Sequence, residues 1–77
     1  MVQTERFEIL RSGFLRDGRY YSIEAVSKGM SQWQARLVCV PAGEELYLQE
    51  AALKQSLAGW AAELTEEEIE DLALRCR

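Results

Sequence analysis

Histidine is absent from this 77-residue chain, and cysteine occurs only at Cys39 and Cys76. Without imidazole or a Cys-x-x-Cys pair, the usual structural zinc sets cannot be assembled. A serine or cysteine nucleophile would need Lys54, a carboxylate or a terminal amine as its base, and no serine stands in a Gly-x-Ser-x-Gly elbow. The five glycines, at 13, 18, 29, 43 and 59, are too dispersed to cradle phosphate. Uncharged stretches such as Leu37 to Gly43 fall far short of a bilayer span, and Met-Val-Gln-Thr-Glu-Arg lacks the basic start and apolar run of a signal peptide. These absences predict a cytoplasmic, non-enzymatic chain with no catalytic residue, cofactor, metal or membrane segment.

What is present is ordinary for a small folded domain: 48% hydrophobic and 29% charged residues, and a formal charge of −4. The length predicts one domain, spanning 1–77, with a modest core and little room for a deep site. Residues 1–40 carry six basic side chains against four acidic ones, and residues 41–77 carry three against nine. The halves are thus +2 and −6, an asymmetry that can orient a partner. An acidic chain disfavours nucleic acid or anionic lipid as the main ligand, because attraction to phosphate needs excess positive charge. The densest carboxylate group, Glu66, Glu67, Glu68, Glu70 and Asp71, is accounted for by a helix start and a solvated helix face. Cys39 and Cys76 fall on apolar faces as free thiols, although spacing alone leaves a bridge between them open.

The stretch from Leu10 to Ala25 reads as a β-hairpin turning on Asp17-Gly18, a pair that tolerates positive φ at both centres of a two-residue turn. That turn pairs Arg16 with Arg19, Phe14 with Tyr21 and Arg11 with Glu24. It assigns Leu10, Phe14, Tyr21, Ile23 and Ala25 to the core face and turns Arg11, Leu15 and Tyr20 outward. Phe7 and Ile9 alternate out of phase with Leu10 and Phe14, so a bulge is expected near Ser12-Gly13.

Residues 1–5 read as a loose terminus, with strands over about 6–15, 19–26 and 32–40. Ser27-Lys28-Gly29-Met30-Ser31 reads as a loop and Pro41-Ala42-Gly43-Glu44 as a turn. In the third strand Trp33, Ala35, Leu37 and Cys39 alternate inward, leaving Gln34, Arg36, Val38 and Val40 outside. Glu45 to Gln49 suits either a short strand or a helix start; the helical spacing of Leu53, Leu57, Ala61 and Leu64 favours a helix over about 49–63. Within it Gly59 suggests a close approach to a neighbour. Thr65-Glu66-Glu67-Glu68 matches a capping box and opens a helix over 65–77, with Ile69, Leu72, Ala73 and Cys76 on one face. The expected fold is α+β, a three-stranded antiparallel meander with two C-terminal helices packed on one face.

The uncovered sheet face then carries Arg11, Leu15, Tyr20, Arg36 and Val38, with Arg16 and Arg19 at the hairpin tip. Its aromatic and apolar members predict a docking surface for a protein partner or for a second copy of the chain. Its arginines make DNA the alternative ligand. The order strand, Asp-Gly hairpin, strand, Trp33-Gln34-Ala35-Arg36 strand and helix near Glu50-Ala51 resembles the three-stranded arm-type DNA-binding module of phage and transposon tyrosine recombinases. The resemblance covers roughly residues 10–62, and the acidic helix from Thr65 departs from it. It implies that Arg11, Arg36, Arg16 and Arg19 face DNA and that the chain has a prophage or mobile-element origin.

Overall fold

The computed structural model describes residues 6–29, 31–41 and 45–76. The readings of residues 1–5 as a terminus, of 42–44 as part of a turn, of Met30 within a loop and of Arg77 in the last helix lie outside them. The class is α+β, and four strands form the sheet rather than three. They are β1 (Phe7–Phe14), β2 (Tyr20–Ser27), β3 (Trp33–Val40) and β4 (Leu46–Ala51), antiparallel in that order, followed by α1 (Lys54–Glu63) and α2 (Glu66–Arg75).

The fourth strand occupies part of the segment expected to be helical. Leu46 and Leu48, two residues apart, are both half-buried against the core, whereas Tyr47 between them is exposed on the other face. That two-residue period belongs to a strand, and it gives β3 a partner along the edge that a meander of three would leave unpaired. The helix consequently begins at Lys54, with Leu53 as an N-cap that offers no side-chain bond. Pro41, which has no N–H for the ladder, immediately follows β3.

The hairpin departs from the expected register by one residue. Leu15 N–H donates to Arg19 O at 2.7 Å and Gly18 N–H donates to Leu15 O at 3.0 Å; of Asp17 and Gly18 only Gly18 has positive φ, at 92°. This is a three-residue loop, Arg16-Asp17-Gly18, of the kind that closes on a left-handed glycine. Phe14 therefore pairs with Tyr20 instead of Tyr21, and the β1 side chains near the turn exchange faces. Phe14, expected in the core, is exposed; Leu15, expected outside, is buried. The irregularity in β1 lies between Ile9 and Arg11, earlier than the Ser12-Gly13 position expected. At Gly13 the Tyr21 ring lies so close that an added Cβ would sit 3.1 Å from its Cε1.

The helices cover the face formed by Tyr21, Ile23, Ala25, Ala35, Leu37 and Cys39. Ala25 and Ala35 leave room for Leu57 of α1, while Ile69 and Ala73 of α2 pack with Leu15, Tyr21, Ile23, Leu37, Cys39, Ala61 and Cys76. Leu10, Leu48 and Trp60 touch both groups. The cap of α2 forms as expected: Glu68 N–H donates to Thr65 Oγ1 at 3.1 Å, and Thr65 N–H donates to Glu68 Oε1 at 2.9 Å. The backbone and hydroxyl of Thr65 hold the Glu68 carboxyl below its ordinary range. Gly59 makes no close approach; a Cβ there would meet nothing within 4 Å.

Candidate functional site

The other face of the sheet carries no helix. Its side chains run in rows across the strands: Phe14, Tyr20 and Val40; Ser12, Ser22 and Val38; Ile9, Glu24, Arg36 and Tyr47; Phe7, Val26, Gln34 and Glu50. Phe14 is 75% exposed, Val40 56%, Ile9 53%, Tyr47 51%, Phe7 50% and Tyr20 36%. The Phe14 and Tyr20 rings meet edge to face at 5.4 Å, so one end of the face is a cross-strand aromatic pair extended by Val40. These six are the large apolar side chains that the face leaves in water.

Between the two ends, the polar groups are drawn in. Arg36 Nε donates to Glu24 Oε1 at 2.7 Å, Ser22 Oγ donates to Glu24 Oε2 at 3.2 Å, and all three residues are buried. Arg36 Nη1 also lies 3.5 Å from Glu45, and its guanidinium sits 5.6 Å from the centre of the Phe7 ring. Tyr47 donates its hydroxyl proton to Glu45 at 2.7 Å, a bond that holds the phenol above its ordinary pKa. β2 runs between β1 and β3, so its open-face residues are shielded by neighbours on either side, which is why Ser22, Glu24 and Val26 are buried without a covering layer. The face is thus apolar at its ends and internally neutralised at its centre.

Of the seven positions expected on this face, Tyr20, Arg36 and Val38 are on it. Arg36 is enclosed in its ion pair, where its charge is already matched. Arg11 lies on the helix side opposite Ile23 and donates from Nη1 to Ala61 O at 2.9 Å and to Leu64 O at 2.6 Å. It thereby satisfies carbonyls at the C-terminal end of α1, where a cation also complements the helix dipole. Leu15 is a core residue for the reason given above.

Arg16 and Arg19 remain at the hairpin tip. Arg16 pairs with Glu67, and its backbone N–H donates to Glu70 at 2.9 Å; Arg19 pairs with Asp17 at 2.8 Å. These partners raise both guanidinium pKa values, and the Arg19 backbone N–H, followed by its side chain, lowers that of Asp17. The four arginines therefore form no continuous basic strip. Phe7, Ile9, Phe14 and Tyr47 are the face residues that the sequence reading missed. For Phe14 the signal was a three-residue hairpin loop, and the irregularity between Ile9 and Arg11 puts Phe7 and Ile9 on the same face; for Tyr47 it was the alternation of Leu46, Tyr47 and Leu48.

A cleft of about 250 Å³ opens between the hairpin and α2, lined in part by Arg11, Tyr21, Glu66 and Glu70. Arg11 and Glu70 are already committed to the helix carbonyls and to Arg16 N–H, and among the described residues no buried side-chain nitrogen or oxygen lacks a partner. No helix among the described residues is long and apolar enough to cross a membrane. No family model, curated protein or solved structure matches this chain.

Proposed function

We propose that this chain is a non-enzymatic interaction domain whose uncovered sheet face docks against the same face of a second copy. The observation that carries the reading is the exposure of Phe7, Ile9, Phe14, Tyr20, Val40 and Tyr47 on one side of one sheet. Four strands about 4.8 Å apart and about 26 Å long present roughly 500 Å². Two such faces bury about 1,000 Å², the lower limit of a specific interface.

Charge selects the same geometry. Two chains of formal charge −4 repel, but the carboxylates of α2 lie in the helical layer on the far side of the sheet. Layers about 10 Å apart put that repulsion at or beyond the screening length in physiological salt. The approaching faces meet with Glu24 and Arg36 already paired, so sheet-to-sheet packing desolvates little unmatched charge.

Light scattering across a micromolar to millimolar concentration range tests the reading, with Ile9→Ser/Phe14→Ser as the comparison. A concentration-dependent dimer that the double variant loses while keeping its circular dichroism supports it. A strict monomer at every concentration overturns it. Duplex DNA, titrated at two salt concentrations, is the competing ligand; tight binding that weakens as salt rises, with no dimer, would replace the proposal.

A further inference from the structure

On the opposite side of the sheet, independent of that docking surface, the two cysteines come together. Cys39 lies on the helix-covered face of β3, and Cys76 is the C-cap residue of α2; both are buried and no disulfide joins them. The Cys76 thiol reaches the Leu37 carbonyl at 3.6 Å, and Leu37 is two residues from Cys39 on the same strand face. Both cysteines belong to one buried cluster with Leu37, and Cys76 is among the groups that raise the Cys39 pKa.

We infer that Cys39 and Cys76 form a latent disulfide site, converted by a low-molecular-weight disulfide oxidant into a covalent staple between β3 and the end of α2. The site suits closure rather than stable mixed adducts, because Cys39 shares the buried cluster of Cys76 and a mixed adduct would have to be held within that core. The Cys76 thiolate attacks one sulfur of the oxidant, breaking its S–S bond and releasing one reagent thiol, which takes up the Cys76 proton. The Cys39 thiolate then attacks the Cys76 sulfur and expels the second reagent thiol, which takes up the Cys39 proton. Two cysteine thiols are oxidised and one reagent disulfide is reduced to two thiols.

Burial controls the rate. Desolvation, reinforced by Cys76, pushes the Cys39 thiol up to about 11, so the thiolate that performs the closing step is scarce at neutral pH. Access comes through the C-terminal end of α2, since helix ends open at lower free energy than helix interiors. α2 is held in the core through Ile69 and Ala73, about two turns and one turn before that end.

The test incubates the full reduced chain with oxidised glutathione under native conditions at several pH values and follows intact mass. The expected product is a monomer lighter by two hydrogens, formed up to about tenfold faster per pH unit as pH rises toward the Cys39 value. Its thermal midpoint should be higher by on the order of 10 °C, because the bridge closes a long loop in the unfolded chain. Cys76→Ser and Cys39→Ala, each checked for its fold by circular dichroism, should give no such product. A persistent glutathione adduct on the wild-type chain overturns the inference, as does a disulfide between two chains. So does a native chain that stays reduced while the urea-unfolded chain oxidises.

Discussion

The two faces of this sheet are built from the same strands by alternate residues, yet they solve opposite problems. On the helix-covered side Ile23, Ala25, Ala35, Leu37 and Cys39 have no exposed surface, and the polar group brought there, Arg11, is satisfied by helix carbonyls. On the uncovered side Phe7, Ile9, Phe14, Val40 and Tyr47 are each at least half exposed, while a glutamate, an arginine and a serine are buried among them. Burial therefore does not follow the hydrophobic pattern on that side. A sheet whose bare face were only a solvated surface would put its charges outermost and its aromatic rings elsewhere, as half-wet antiparallel sheets commonly do. Here the ionic groups neutralise one another within the face, and the exposed apolar groups stand at its two ends.

The contrast breaks most sharply if a core side chain is truncated. Leu57 has no exposed surface and fills the space over Ala25 and Ala35. Leu57→Ala should lower unfolding free energy by about 3 kcal/mol, the transfer and cavity terms together. Urea denaturation measures it, and a loss below about 1 kcal/mol would mean that α1 is not a permanent cover of the sheet.

The buried pair on the other face comes next. Glu24→Leu alone removes the buried carboxylate that Arg36 Nε meets, a loss of about 3 kcal/mol for a pair this buried. Glu45, 3.5 Å from Arg36, tempers that figure. The double variant Glu24→Leu/Arg36→Leu removes both charges and should be more stable than the Glu24→Leu single variant. Additive losses in that cycle would show that the two residues act independently.

At the edge of the helical layer, Thr65→Ala removes one half of the capping box and should cost about 1 kcal/mol. Its partner gives the pH dependence. Because the Glu68 pKa is lower in the folded chain, its contribution is complete above the unfolded value, near 4.3, and is lost as pH falls through the folded value. Acid titration of stability should therefore be shallower in Glu68→Gln than in the wild type. Identical slopes would remove this carboxylate from the acid response.

How much of this was readable in the sequence depends on which residues carried the argument. The capping box at Thr65 and the apolar stripe Ile69, Leu72, Ala73 and Cys76 are local patterns, and the structure forms both. Leu46-Tyr47-Leu48 is short enough to satisfy either period, and the pairing with β3 that decides it lies outside the segment. At Asp17-Gly18 one dipeptide fits two loop lengths. The difference of one residue exchanged Phe14 with Leu15 and turned Arg11 inward, so the expected basic face dissolved while an aromatic one formed. Alternation along a strand is exact, so an error at the turn propagates through every neighbouring side chain until a bulge resets it; in β1 that reset lies between Ile9 and Arg11.

The smallest stability effect is the one that sharpens the contrast furthest. In Ile9→Ser/Phe14→Ser both side chains are already more than half exposed, so in dilute solution, where the monomer dominates, the double variant should unfold within about 1 kcal/mol of the wild type. The small remaining loss reflects the Phe14 contact with the Tyr20 ring. At high protein concentration the two chains should separate. A dimer that binds only the folded state raises the wild-type thermal midpoint as concentration rises, by mass action, whereas the variant's midpoint should stay constant. Equal midpoints at both extremes would mean that the exposed aromatic face contributes neither to the monomer nor to self-association. A large loss already present in dilute solution would mean that Ile9 and Phe14 belong to the core despite their exposure, and the two faces would then differ in degree rather than in role.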